Sequence, residues 1–150
     1  MRVCLVRHGD AVDEAVDRQR PLSERGRKEV ADVTSQLQKI GLVPDRIFHS
    51  HKTRAAQTAE ILHDGLDAVD DTESIDGLSP GDPPDPVVAR LSGCEGDVIV
   101  VGHLPSLEHI AAALLGDDAP RHIFPTGGAL LLERQPPAWR IAGRYAPGWG

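Results

Sequence analysis

Aromatic side chains are scarce in these 150 residues: two Phe, two Trp and one Tyr. Binders of single-stranded nucleic acid lean on stacking aromatics beside a basic groove, and neither is found here. Cysteine is as scarce. Cys4 and Cys94 make no disulfide framework, and Cys4 lies in an apolar run where a thiol packs rather than reacts. No stretch reaches the roughly 18 apolar residues of a membrane-spanning helix. No leader pattern is visible either, because Met1-Arg2 passes straight into a strand-like run. These absences lead us to expect a soluble cytoplasmic protein that engages neither nucleic acid nor membrane. A chain of this length buries a core without metals or disulfides, so one domain over 1–150 is expected.

Positive charge is missing from one region in particular. The formal net charge is −7, but residues 64–97 hold ten carboxylates against a single base, Arg90. The remainder holds 13 acids and 15 bases. Such a stretch is ordinarily solvated surface; its other use is to steer a partner that carries basic residues.

Strand and helix signals alternate along the chain. Residues 2–7 and 45–49 read as buried strands, and Val98-Ile99-Val100-Val101 is the most strand-like run of all. Ser23 suits the N-cap of a helix over 24–40, whose Val30, Val33, Leu37 and Ile40 share one face, with Gly41 behind it in a left-handed position. A second helix is expected over 53–64, with Ala55, Ala59 and Leu62 inward. Residues 65–85, rich in Asp, Gly and Pro, read as surface loop. A short helix follows over 86–91, with Asp85 as N-cap and Pro86 as its first residue. Pro105 opens another helix, stopped by Gly116, with Leu107, Ile110, Ala111 and Leu114 on its apolar face. Residues 129–132 and 139–142 read as an antiparallel pair joined by 134–137. The fold class expected is α/β: a three-layer α/β/α sandwich, its central sheet mainly parallel, with antiparallel pairing near one edge and no cap insertion.

In open sheets of this kind ligands bind beyond the carboxyl ends of the parallel strands. Arg7-His8-Gly9 follows the first strand, Ser50 to Arg54 the second and His103 the third, so all three clusters reach one rim. Arg20 lies in the loop that can fold back over it. Arginine presents a planar fork that matches phosphate oxygens, and a histidine ring nitrogen can attack phosphorus. Gly9 permits a sharp turn and close backbone approach. Helix N-termini near 53 and 105 aim free N–H groups at the same rim. The expected site is one for a phosphate-sized anion.

Four ordered segments resemble the histidine phosphatase superfamily: Arg7-His8-Gly9, then Pro21-Leu22-Ser23-Glu24-Arg25-Gly26, then Ser50 through Arg54 to Gln57-Thr58, and finally His103 after the third strand. Arg7-His8-Gly9-Asp10, Arg20-Pro21-Leu22 and His103-Leu104-Pro105 resemble the SixA-type phosphohistidine phosphatase branch. So does the short span from Ser50 to Asp97, which leaves no room for a capping insertion. The resemblance implies a phosphatase in which His8 attacks phosphorus and forms a phosphohistidine intermediate. Arg7, Arg54 and His103 would bind and stabilise the phosphoryl oxygens, with Arg20 as a fourth candidate. A cationic cluster suffices for such transfer without metal. The substrate implied is phosphohistidine in a protein; a small phosphorylated metabolite is the alternative, as is a catalytically weak phosphate-binding module.

Many superfamily members protonate the leaving oxygen with a carboxylate. Asp76 and Asp82 are the candidates for that general acid, though neither sits in a pattern that compels it, and both read better as solvated loop acids. An alkoxide suffers from a missing acid more than imidazole does, which favours a phosphohistidine substrate. His49 and His51 alternate at a strand end and so share a face; with His103 or His8 they would offer a zinc site three ligands. No acid joins them at ligand spacing and Arg54 repels a dication, so neither metal nor cofactor is expected. His63, His109 and His122 have no partners at useful spacing. Arg25, Arg27, Lys28 and Glu29 read as the solvated face of the first helix.

Overall fold

A computed structural model describes residues 1–120 and 124–149; His122 lies outside them. Six strands and four helices follow in the order β1 (Arg2–Arg7), α1 (Glu24–Lys39), β2 (Arg46–His49), α2 (Thr53–Leu66), β3 (Glu73–Ser74), α3 (Asp85–Ser92), β4 (Val98–Gly102), α4 (Ser106–Leu115), β5 (Ala129–Gln135) and β6 (Ala138–Tyr145). They form one open sheet in the order β3-β2-β4-β1-β5-β6. The four on the β3 side are mutually parallel, and β5 and β6 are antiparallel. The expected α/β/α sandwich is present.

Strand alternation sorts the core into two halves. Val3 and Leu5 of β1, with Val98 and Val100 of β4, face Val87 and Leu91 of α3 and Leu107 and Ile110 of α4. Cys4, Val6, Ile99 and Val101 face the other way, onto Val30, Val33 and Leu37 of α1 and Ala55, Ala59 and Leu62 of α2. Each half thus reads a period of two on the sheet against 3.6 on the helices. The N-cap of α1 is as expected: Ser23 Oγ accepts the Gly26 N–H at 3.0 Å. Gly41 follows the helix at φ +73°.

Several boundaries differ from the sequence reading. Ile40 is the C-cap of α1 and 37 % exposed rather than core, because the helix ends before the turn that would carry it inward. Residues 65–85 are not simply surface loop: they supply β3, and Ile75 and Leu78 are buried against the α3–α4 side of the sheet. The five polar residues 70–74 between Val69 and Ile75 carry too little periodicity to announce a two-residue strand. Pro84, not Asp85, is the N-cap of α3, so Pro86 sits one place deeper in the first turn, where its missing N–H still costs no helix bond. The β5–β6 connection is Pro136-Pro137 alone, shorter than expected.

The register is what builds a site. Arg7 pairs with Gly102 in the β1–β4 ladder, and His49 with Val101 in the β2–β4 ladder, so three parallel strands end nearly flush. The chain leaves β1 toward β2 on one side and β4 toward β5 on the other, with α1 and α2 on one face and α3 and α4 on the other. The crevice between the ends of β1 and β4 is therefore where the strand order reverses, the usual place for a ligand in such sheets.

Candidate active site

His8 and His103 are the first residues past the paired ends of β1 and β4. Their rings lie with centroids 4.9 Å apart, tilted by 53°. Nδ1 of His8 is 2.7 Å from the carbonyl oxygen of Gly9. A carbonyl only accepts, so Nδ1 carries the proton and Nε2 keeps its lone pair for attack. This is the backbone partner a nucleophilic imidazole needs. The other ring is fixed by Ser50, whose Oγ lies 2.6 Å from Nε2 of His103.

A cleft of about 220 Å³ opens over these rings, lined by Arg7, Lys52 and Arg54 as well as by both imidazoles. Nη1 of Arg7 donates to Phe124 O at 2.8 Å. Nε of Arg7 and Nε of Arg54 are buried and find no partner among the described residues. Buried guanidinium donors without acceptors are costly unless an anion arrives to take them. The first turns of α2 and α4 have no side-chain caps; Ala55 N–H bonds to Lys52 O and Leu107 N–H to His103 O, and the positive ends of both helices face this side of the sheet.

Burial, and then the charges of Arg54, Arg7 and Arg20, push the pKa of His8 down to about 4, against the pull of its bond to Gly9. Burial followed by His8, Arg54, Lys52 and Arg7 brings His103 to about 4 as well. Burial and then Arg20 lower the pKa of Arg54. In a cleft this positive a further proton is repelled, and an imidazole stays neutral well below its usual range. The stability consequence has a definite sign. At pH 7 both rings are neutral folded or unfolded. As pH falls from about 6.5 toward 4 the unfolded chain takes up protons that the folded one does not, so stability declines across that window.

Two further sequence motifs turn out to be braces. Thr58 is fully buried; its Oγ1 accepts the Gly9 N–H at 3.1 Å and donates to Arg54 O at 2.8 Å, joining the His8 loop to the helix that carries Arg54. Gln57 Oε1 accepts the Leu22 N–H at 2.7 Å. Gly9 itself has no left-handed φ. It is glycine because a Cβ there would lie 2.8 Å from Gly26 O and from Val30. Glu29, expected on a solvated face, is only 13 % exposed at its side chain. Its carboxylate reaches the Asp10 N–H and the Thr126 hydroxyl, tying the His8 loop to the segment behind Arg7. That segment is a second feature missed from sequence: Gly127 N–H donates to the carbonyls of both Arg7 and His8. Its only local signal is Pro125-Thr126-Gly127-Gly128 ahead of a strand.

Other candidates fall elsewhere. Arg20 is not on the cleft wall; at φ +47° it turns its Nε to Val12 O, 3.1 Å away, close enough to act on His8 and Arg54 by charge. Asp76 and Asp82 line a neighbouring groove instead of the cleft. Asp76 is held to Nε2 of His51 at 2.6 Å, and Ser74 Oγ lies 2.5 Å from Nδ1 of the same ring. Asp82 accepts the Ser79 N–H. His49 and His51 do not converge: β2 ends at His49, which turns Nδ1 to Ser50 O inside the fold, whereas His51 faces Asp76. Cys4 is wholly buried, with its thiol pushed up to about 12 by burial.

The model of the histidine phosphatase superfamily (branch 1) matches residues 3–79. That is over half the chain, and it includes the segments that carry His8, Gly26, Arg54 and Thr58. The chain belongs to the histidine phosphatase superfamily. Among its relatives in this family, an uncharacterised protein from Picosynechococcus is 32 % identical over 130 residues, covering 82 % of this chain and 78 % of the other. An uncharacterised Mycobacterium tuberculosis protein is 31 % identical over 146 residues, covering 89 % and 84 %. The protein histidine phosphatase SixA complexed with tungstate superposes with a TM-score of 0.87 at 28 % identity, over 98 % of this chain and 97 % of that one. SixA from Agrobacterium tumefaciens gives 0.83 at 28 % identity, over 98 % of both chains. This histidine phosphatase is therefore of the SixA type, an enzyme with no cap insertion over its cleft among the described residues. No helix among the described residues is long and apolar enough to cross a membrane.

Proposed function

We propose that this phosphatase hydrolyses phosphohistidine in a protein substrate, without a metal, through a covalent intermediate on His8. The observation that carries the reading is the free Nε2 of His8, oriented by Gly9 O, at the floor of a cleft lined by cations and by no carboxylate among the described residues. Nε2 attacks phosphorus and the bond to the leaving nitrogen breaks. Water then attacks the phosphorus and the P–Nε2 bond breaks, returning His8 neutral and releasing phosphate. Arg7 and Arg54 hold the equatorial oxygens with donors that have no other partner. His103 closes the opposite side, and Arg20 adds charge from the loop above it. Such transfer draws its rate from positioning and charge stabilisation, which three cations and two helix N-termini supply.

The leaving group supports the choice of substrate. Imidazole can carry a proton on its distal nitrogen and depart neutral, whereas an alkoxide needs an acid at the bond being broken. Both nitrogens of His51 are taken up by Asp76 and Ser74, and no carboxylate among the described residues lines the cleft. General acids contribute about 10²–10⁴-fold to rate. Turnover of a phosphohistidine protein is therefore expected to exceed that of an alkyl phosphate by at least about 100-fold, and to persist in excess chelator. Comparable turnover of the two, or loss of activity on chelation, would falsify the reading.

A pH profile tests the state of the nucleophile. kcat/KM follows the free enzyme, so with His8 titrating at about 4 it should stay level from pH 7 to about 5 and fall only near 4. Because His8 and His103 titrate against one another, that lower limb belongs to the pair. p-Nitrophenyl phosphate, whose leaving group needs no acid, is a suitable probe once its own ionisation is divided out. A limb at pH 6.5 would mean that neither burial nor the cations act on His8.

A further inference from the structure

Beside the phosphate cleft lies a larger groove of about 480 Å³ that shares Ser50, His51, Leu78 and Ser79 with it. The leaving group of any phosphoryl donor has to emerge somewhere around this cleft, and the groove is its direct continuation. Ile75, Leu78, Pro83 and Pro86 give the groove an apolar wall, and Asp76 and Asp82 give it negative charge. Each carboxylate spends one oxygen inside the protein, Asp76 on His51 and Asp82 on the Ser79 N–H, and the second oxygen makes no hydrogen bond among the described residues. Asp76 is fully exposed. Arg90 also reaches this wall, but it is committed to Glu73 at 3.2 Å and lies over the Phe48 ring at 5.4 Å. The sign of charge thus reverses over a short distance, from Arg7, Lys52 and Arg54 in the cleft to Asp76 and Asp82 in the groove.

A ligand that fits both parts carries a phosphoryl group at one end and an apolar stem tipped with a cation at the other. Lysine and arginine side chains have that stem and that tip: the methylenes lie along an apolar wall while the head stays with water and a carboxylate. We propose that the groove is a substrate-recognition site for a lysine or arginine side chain flanking the phosphohistidine. This rests on the phosphohistidine reading above and gives the acidic stretch over 64–97 a use at the site itself, since the same field steers a basic segment to the cleft. Exposed ion pairs are individually weak, so two carboxylates and steering together give about a 10-fold preference rather than an absolute one.

The test uses two phosphohistidine peptides that differ only in their flanking residues, lysine in one and glutamate in the other, together with phosphoramidate. Phosphoramidate is too small to reach the groove and reports on the cleft alone, so each peptide rate is divided by the phosphoramidate rate of the same enzyme. Wild type is expected to favour the lysine peptide about 10-fold in kcat/KM, and an Asp76→Asn/Asp82→Asn double variant about 2-fold or less. Equal wild-type rates on the two peptides, or a preference that survives the double substitution, overturn the groove while phosphoramidate turnover leaves the phosphatase reading standing. Failure of wild type to hydrolyse all three donors removes that reading and the groove with it.

Discussion

With His8→Ala, turnover is expected to fall by at least about 10⁴-fold, roughly 5 kcal/mol of transition-state stabilisation, because the variant has no atom to accept the phosphoryl group. Incubation of wild type with a labelled phosphodonor should leave an acid-labile, alkali-stable label on the protein, and the variant should leave none. The cations survive the substitution. Arg7 keeps its bond to Phe124 O, and the unpartnered Nε atoms of Arg7 and Arg54 still await an anion. Inorganic phosphate should therefore bind the variant at least as tightly as it binds wild type, as calorimetry can measure. That pairing of lost label and kept anion separates catalysis from simple phosphate binding. A wild type that takes no label and releases no phosphate would instead make the protein a binding module. A variant that turned over normally would remove His8 from the reaction.

The second large effect is expected from a residue that touches no substrate. Gly26 stands in the first turn of α1, and a Cβ there would come within 2.0 Å of the Asp10 carbonyl oxygen. That oxygen cannot yield cheaply, since it is backbone and accepts both the Ser23 N–H at 2.9 Å and the Ser23 hydroxyl at 3.2 Å. Nor can the helix back away, because Val30, Val33 and Leu37 hold α1 against the sheet. Gly26→Ala must therefore push the His8-Gly9-Asp10 segment off α1. Overpacking of this kind costs about 3 kcal/mol, which for a chain of this size lowers Tm by about 6–12 °C. Displacing His8 by a fraction of an ångström from its position against Arg54 should cost about 100-fold in kcat/KM. Thermal unfolding and steady-state rates check both numbers, and a variant with unchanged Tm would show that the two loops are not in contact. The Ser23→Ala variant, which loses only the cap, should cost about 1 kcal/mol and little activity, so the two substitutions distinguish packing from capping.

Much of this was legible in the sequence, and for a physical reason: the signals were local. A run such as Val98 to Val101 can satisfy its burial on both faces only inside a sheet, and Val30, Val33 and Leu37 fall on one side of a helix whatever it packs against. A polar cluster at the carboxyl end of each parallel strand then places Arg7, His8, Arg54 and His103 on one rim. What could not be read locally is what depends on partners far along the chain. The His8–His103 contact requires the Arg7–Gly102 register, the Arg7 clamp reaches a carbonyl 117 residues away, and Glu29 serves the site only because Thr126 comes to meet it. Likewise Asp76 and Asp82 are the same loop acids in either description. Only the folding of residues 75–86 against α3 and β2 decided that they border a groove and stay off the cleft, since burial of Ile75 and Leu78 fixes which way their neighbours point. Composition and periodicity determined the elements, and with them the place where an anion would bind. Long-range contacts decided which polar groups line the cleft, because side-chain direction is set by packing that no single segment contains.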